Sequence, residues 1–441
     1  MIVKRLVTVA TLFLASSASF LHSSSRVVLS VLQKLSPELQ RNLLVLFTAG
    51  LLFWSGLAAH LPTLPLYIQS VGANEQMVGT VMGAFAVGLL LSRQWLAQLA
   101  DARGRKLVLL IGMASVAVAP LGYFMTQAIP LLIAIRAIHG ISIAAFALAY
   151  SALVVDLSPP QHRGELIGYM SLVNPIGLAL GPAMGGYIHE WFGFGPMFLS
   201  AAGLGIVGLI CTAQVQEKPV ARAIDRTTDA LPFWRLLGDP RIRIPALILL
   251  LVGLTFGTLS TFVPLFIKEV GVPLNVGLFY TAVAIASFVI RLIAGPASDR
   301  YGRGPFISIS LVCYVLSMGL LWQAKDSITF LLAGAVEGAG SGILIPMIAA
   351  LMADRSLPHE RGRTFGVCMV GFDVGIALAG PVLGAFAVHL GYRGLFGLCV
   401  ILALLGLLIF LTCSSDELRL SLRFALGQGR DIYAVELRED G

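Results

Sequence analysis

The sequence predicts an all-α integral membrane protein with twelve transmembrane helices, arranged as two six-helix units in parallel repeat. Three observations predict this class. Of 441 residues, 57% are hydrophobic and only 12% are charged, about half the charged share of a soluble domain. The apolar residues fall in runs of about twenty or more, the length a helix needs to cross some 30 Å of hydrocarbon. Polar and glycine residues between and within the runs recur at a spacing of 198. Backbone amides in lipid find no water, so a spanning segment is either a helix or part of a closed barrel. Unbroken apolarity, in place of alternation, excludes the barrel.

In chain order, spans one to twelve are expected near 43–70, 77–99, 107–126, 130–155, 164–190, 196–214, 243–269, 276–297, 306–324, 328–353, 362–390 and 393–413. Short loops join them except at 215–242, VQEKPVARAIDRTTDALPFWRLLGDPRI, a polar segment of mixed charge. It reads as a linker between an N-terminal unit (41–214) and a C-terminal unit (243–413). Residues 414–441 form a tail. Residues 1–40 begin MIVKRLVTVATLFLASSASF, a basic start followed by a short apolar run and small residues, in the manner of a signal peptide. Cleavage there would leave the new terminus on the side the charge bias disfavours. An interfacial helix or an extension from an early start codon is the expectation.

Lys and Arg set orientation. One set of loops holds fifteen of them, including Arg103, Arg105, Lys106, Arg163, Arg300, Arg303, Arg355 and Arg361; the alternate set holds only Lys268, Lys325 and Arg393. This bias places both termini and the linker in the cytoplasm and the chain in the plasma membrane, which is the inner membrane in a two-membrane bacterium. The net charge of +7 is thus an orientation signal, and no nucleic-acid partner is expected. Cys211, Cys313, Cys368, Cys399 and Cys413 sit in apolar runs without metal spacing. No metal or cofactor is expected.

The stretches QLADARGRKLVLL and PASDRYGRGPFIS carry the same charged turn twice: Asp101, Gly104 and Arg105 pair with Asp299, Gly302 and Arg303. The same offset pairs Arg93 with Arg291, Asp156 with Asp354, Gly168 with Gly366, and His139-Gly140 with Glu337-Gly338. The chain is read as a tandem duplication. Six spans being even, both copies keep one orientation.

From about residue 40 to 415 the chain resembles the major facilitator superfamily, whose members carry Gly-x-x-x-Asp-Arg-x-Gly-Arg-[Lys/Arg] between spans two and three, often echoed between eight and nine. The second copy here gives Gly295, Asp299, Arg300, Gly302 and Arg303, with Gly304 in the last basic place. The first keeps Asp101, Gly104, Arg105 and Lys106, with Ala97 for the first glycine and Ala102 for the arginine. The resemblance implies a gate in which Asp101 faces the start of span eleven near Gly362. By the repeat, Asp299 would face span five near Gly164. A carboxylate at a helix start is favourable, and making or breaking such contacts would bias a rocking motion.

Span four places Arg136, His139 and Gly140 on one face. This is similar to the family's Arg-x-x-Gln-Gly, whose Arg is implicated in proton handling. Span five carries Gly177, Gly181, Pro182, Gly185 and Gly186, resembling a signature that in the superfamily goes with proton-antiport exporters. Small residues four apart allow close helix packing and proline bends the helix. Two acids lie deep in apolar runs, Glu337 in span ten and Asp373 in span eleven. Desolvation disfavours a charged carboxylate, so both are proton-coupling candidates, with Arg136 and His139. His60 and Trp54 in span one are candidates for the substrate cavity. Arg93 and Arg291 are read as snorkelling to the interface. For Glu337 the alternative is a fixed ion pair with Arg136.

These readings converge on a monomeric secondary transporter in the bilayer, exchanging protons for a small-molecule substrate. Proton-coupled efflux of small amphipathic compounds or metabolites by alternating access leads; a proton-coupled symporter for sugars or organic acids is second. A non-transporting sensor or scaffold is a third reading. No enzyme is expected, since phosphate-loop, zinc-protease and nucleophile-elbow motifs are missing. The topology is checked by Asp225→Cys in an otherwise cysteine-free chain. An impermeant thiol reagent should label it only after the cells are permeabilised; labelling in intact cells would contradict the orientation.

Overall fold

The computed structural model describes residues 35–159, 162–217, 238–357, 360–429 and 431–435. The extension before residue 35 and most of the 215–242 linker lie outside them. Among the described residues eleven helical stretches are long and apolar enough to cross a bilayer. Ten are single crossings: Pro37–Ser70, Glu75–Arg103, Arg105–Met125, Ile129–Leu157, Arg163–Phe192, Phe194–Gln214, Pro240–Val270, Val276–Tyr301, Arg303–Gln323 and Ser327–Asp354. The last, Arg361–Cys413, has 53 residues, roughly 80 Å of helix and far more than one crossing needs. Gly391, at φ 64° and ψ 173°, breaks it into spans eleven and twelve. The expected twelve crossings are present.

Helix starts are capped by short polar side chains. Asn74 Oδ1 accepts from Met77 N at 2.8 Å in span two, and Asn275 Oδ1 accepts from Gly277 N at 2.9 Å in span eight. Asp326 does the same for Thr329 N at 2.9 Å in span ten. Each cap satisfies one of the amides a helix start leaves unpaired.

The duplication is visible in the backbone. Gly104 and Gly302 take φ 98° and 85°, and Gly193 and Gly391, also 198 apart, take φ 85° and 64°. Glycine adopts this left-handed region without a Cβ clash. Gly181-Pro182 and Gly380-Pro381 are instead 199 apart. The offset returns to 198 at Gly391, so the shift is local to the Gly-Pro pair, and it coincides with a π-turn at Ala379–Leu383 in span eleven.

The two halves touch mainly at the end opposite the basic loops. There a Cβ on Gly380 would overlap the Gly79 carbonyl, one on Gly277 the Pro182 carbonyl, and one on Gly186 the Asn275 side chain. Polar contacts close the rim: Asn275 Nδ2 donates to Glu190 at 2.6 Å, and Gln69 Nε2 to Tyr392 Oη at 3.3 Å. At the basic end a Cβ on Gly164, Gly168, Gly362 or Gly366 would meet nothing within 4 Å. The halves are sealed at one end and parted at the other.

The tail folds back on the basic end. Its helix Leu418–Ala425 packs on span nine, where Ser308 Oγ donates to the Ala425 carbonyl at 3.0 Å. Beyond it Asp431 accepts two bonds from buried Arg355, at 2.6 and 2.9 Å.

If the glycine crossings hold the seal, Gly380→Val should open it. Overpacking of this kind costs roughly 1–3 kcal/mol. A cysteine at Leu66, inside the seam, should react with a small thiol reagent several-fold faster in the Gly380→Val background. An unchanged rate would show that the seal does not depend on this crossing.

Candidate functional site

The repeated turn is built the same way in both halves. Arg105 pairs with Asp156 at the end of span four, and Arg303 pairs with Asp354 at the end of span ten at 3.2 Å. The glycine before each arginine ends one helix and lets the next begin at once. In the first copy, Glu217 accepts from the amides of Arg105 and Lys106 at 2.7 and 3.1 Å, placing a carboxylate on the positive end of span three. Lys106 Nζ donates to the Ala213 carbonyl at 2.7 Å, at the negative end of span six.

The expected gate contacts are not made in this state. Asp101 is exposed and has no ion pair among the described residues. Asp299 pairs with Arg303 of its own turn at 2.5 Å, leaving its side chain 70% exposed. The physical reason is the parted basic end, which holds the starts of spans five and eleven away from these loops. Gly295, Gly302 and Gly304 shape the second turn; Gly304 lies against the Phe424 carbonyl of the tail helix. Arg300 stacks over Tyr301 with its guanidinium 5.5 Å from the ring centre.

In span five, Gly177, Gly181 and Gly185 lie against Trp54, Ser55 and Ala59 of span one, while Pro182 and Gly186 meet span eight across the seam. One motif therefore packs its own half and seals the two halves together.

Span four brings Arg136 and His139 together with His60 and Tyr123 in a buried cluster. His139 Nδ1 is 3.1 Å from Tyr123 Oη and 3.4 Å from Arg136 Nη1. A guanidinium only donates, so Nδ1 accepts and the ring proton sits on Nε2. His60 Nδ1 lies 3.0 Å from the Gly56 carbonyl, which only accepts, so its bare nitrogen is Nε2. The two imidazoles stand edge to face with centroids 5.3 Å apart, and both Nε2 atoms lack a partner. Arg136 lies over Phe85, 4.4 Å from the ring centre. His60 thus belongs to the interior of the N-terminal half and does not line the cavity expected for it. Trp54 does line one, a pocket of about 270 Å³ with Phe146, Tyr150 and Met170.

In the C-terminal half, Glu337 is 0% exposed and neither carboxylate oxygen makes a well-aligned hydrogen bond, with the Tyr314 hydroxyl close enough to be a weak partner. The pairing with Arg136 is not present; each residue is enclosed by its own half. Gly338 and Gly342 press span ten onto the Val283 and Ser287 backbone of span eight. Tyr280 and Tyr314 stand beside the carboxyl. Both tyrosines also line a cavity of about 200 Å³ between the halves, with Leu61, Phe256 and Phe372. Glu337 lies just behind that wall.

Asp373 has a partner that the sequence reading missed. It meets Arg93 of span two at 2.7 Å, across the seam between halves. The oxygen is not aligned for a hydrogen bond, so this is a charge contact. Arg93 does not snorkel as expected. The available signal was depth: both residues lie in the same membrane layer of spans that touch.

A family model described as Major Facilitator Superfamily matches residues 46–292 and again 246–427. The chain belongs to the Major Facilitator Superfamily. It is 26% identical over 361 residues to an uncharacterized MFS-type transporter of Salmonella typhimurium, covering 78% of this chain and 89% of that protein. To multidrug resistance protein MdtG of Salmonella choleraesuis it is 25% identical over 371 residues, covering 81% and 91%. The nucleoside transporter NupG, in a mutant form, superposes with a TM-score of 0.75 at 15% identity, covering 85% of this chain and all of that one. A bacterial homologue of the human lysosomal transporter Spinster gives 0.66 at 15% identity, covering 89% and 93%. This superfamily member is a multi-pass membrane protein and a secondary transporter of small molecules.

The Arg93–Asp373 contact is tested by a double-mutant cycle on melting of the purified protein. Arg93 is 42% exposed, so the coupling should be about 1 kcal/mol, less than a fully buried pair gives. Arg93→Asp with Asp373→Arg should recover most of what either single change loses. Additive losses would mean the contact contributes nothing.

Proposed function

We propose that the chain is a proton-coupled exporter of small amphipathic compounds, working as a monomer in the cytoplasmic membrane with both termini inside. Glu337 carries this reading. A carboxylate with no cation and at most a tyrosine hydroxyl beside it in a membrane interior costs several kcal/mol if ionised, so its site suits the neutral acid. Tyr280 and Tyr314 both neighbour it and line the cavity. Rearrangement of that wall would admit water and let the proton leave, coupling protonation to the state of the halves. The sealed and parted ends are one pose of an alternating-access cycle. Asp101 would take its partner on span eleven when the basic end closes. The direction of transport draws on the Gly-Pro motif of span five and on the distant likeness to MdtG.

The cycle assigns the remaining polar groups. Asp373 is the second proton candidate: once protonated it releases Arg93 and loosens the seam between spans two and eleven. Arg136, His139 and His60 supply a buried chain of donors and acceptors in the other half.

A growth screen of an efflux-deficient host supplies a substrate, and proteoliposomes test the coupling. Glu337→Gln protein should lose accumulation driven by a pH gradient, by tenfold or more, while keeping substrate counterflow. Accumulation at the wild-type level would remove Glu337 from the mechanism.

A further inference from the structure

Arg291 is a cavity-lining cation without the partner its repeat-mate has. Arg93 and Arg291 hold the same place in spans two and eight, 198 residues apart. Arg93 meets Asp373 of span eleven. The matching stretch of span five is Asn174-Pro175, which offers no acid. Asn174 and Pro175 line the central cavity together with Arg291. Among the described residues no carboxylate pairs with Arg291, and none lines the cavity. Ser287, Tyr280 and Tyr314 add hydroxyl groups to the same wall, and most of the rest is apolar. Arg136, a second cation within the spans that has no acid beside it, is buried against Phe85 and does not line this space.

Alternating access makes this difference consequential. In an alternating-access cycle, closing the basic end would take Arg291, exposed at the cavity in this state, out of water. A cation moved into low dielectric without a counter-charge is costly. At the seam of spans two and eleven Asp373 supplies that charge. At the matching depth between spans five and eight, no carboxylate among the described residues faces Arg291.

We propose that Arg291 is the subsite for an anionic head on the transported compound: an organic anion with one carboxylate-like group on a compact apolar body. The guanidinium presents a planar fork that matches such a head with two parallel bonds, Asn174 stands within the same wall, and the apolar lining receives the body. The ligand then completes the charge balance required to close the cavity. This rests on the transporter reading and narrows its substrate class.

The test is binding to the purified full chain in detergent, using benzoate, 2-naphthoate and octanoate. Each is compared with the amide and the amine of the same body. At least one carboxylate should bind about tenfold tighter than both analogues, a difference of about 1.4 kcal/mol. Arg291→Gln should abolish that preference, whereas Arg291→Lys, which keeps the charge but not the fork, should retain only part of it, and Lys325→Gln, remote from the cavity, should leave it unchanged. If no carboxylate is preferred by the wild type, or if the preference survives Arg291→Gln, the proposal is overturned. The wild-type series decides even if a variant fails to fold. Binding is read apart from movement, so a chain that binds the anion but moves nothing would contradict the transporter reading and leave the subsite standing.

Discussion

The cost of placing charge in hydrocarbon governs this molecule more than any other constraint. It forces every backbone amide into a helix and leaves few charged side chains inside the spans. Each of those must be neutralised by a partner, a proton or a ligand. Asp373 and Arg93 neutralise each other across the halves. Arg136 rests on an aromatic face beside His139. Glu337 has no cation beside it, with Tyr280 and Tyr314 as its polar neighbours, and Arg291 faces a cavity without an acid. The first two are satisfied inside the protein; the last two point to what moves through it.

Close backbone approach is the second constraint, and glycine carries it. Gly79 against Gly380, and Gly277 against Pro182, bring helices of opposite halves nearer than any side chain would allow. Between helices that lipid solvates as well as each other, such packing supplies much of the attraction. The same spans diverge toward the basic end, where their glycines meet open space. A tight seam at one end and a gap at the other give the halves a fulcrum. The ion pair of Arg93 and Asp373 lies on that seam, where a change of charge has leverage.

The fold was legible because its signals are local. Run length gives the spans, loop charge gives the expected orientation, and Gly104, Gly302, Gly193 and Gly391 mark the same breaks in both copies. Partner choice was less legible. The spacing of Arg136 and His139 along one helix predicts that they share a face, and they touch. Whether His60 faces cavity or core depends on how span one is rotated against its neighbours, which one helix's pattern does not specify. Arg93 and Asp373 are 280 residues apart, and only the crossing of spans two and eleven brings them together. Asp101 shows a further limit: the gate contact expected for it is not made with the basic end open.

Infrared difference spectroscopy on the wild-type protein in lipid addresses the central claim directly, that Glu337 holds a proton which the transport cycle releases. A carbonyl band of a protonated carboxylic acid in an apolar site should be present near neutral pH, decrease when the medium is made alkaline or substrate is bound, and be missing from Glu337→Gln protein. A spectrum in which Glu337 contributes only ionised carboxylate bands at every pH would contradict the account.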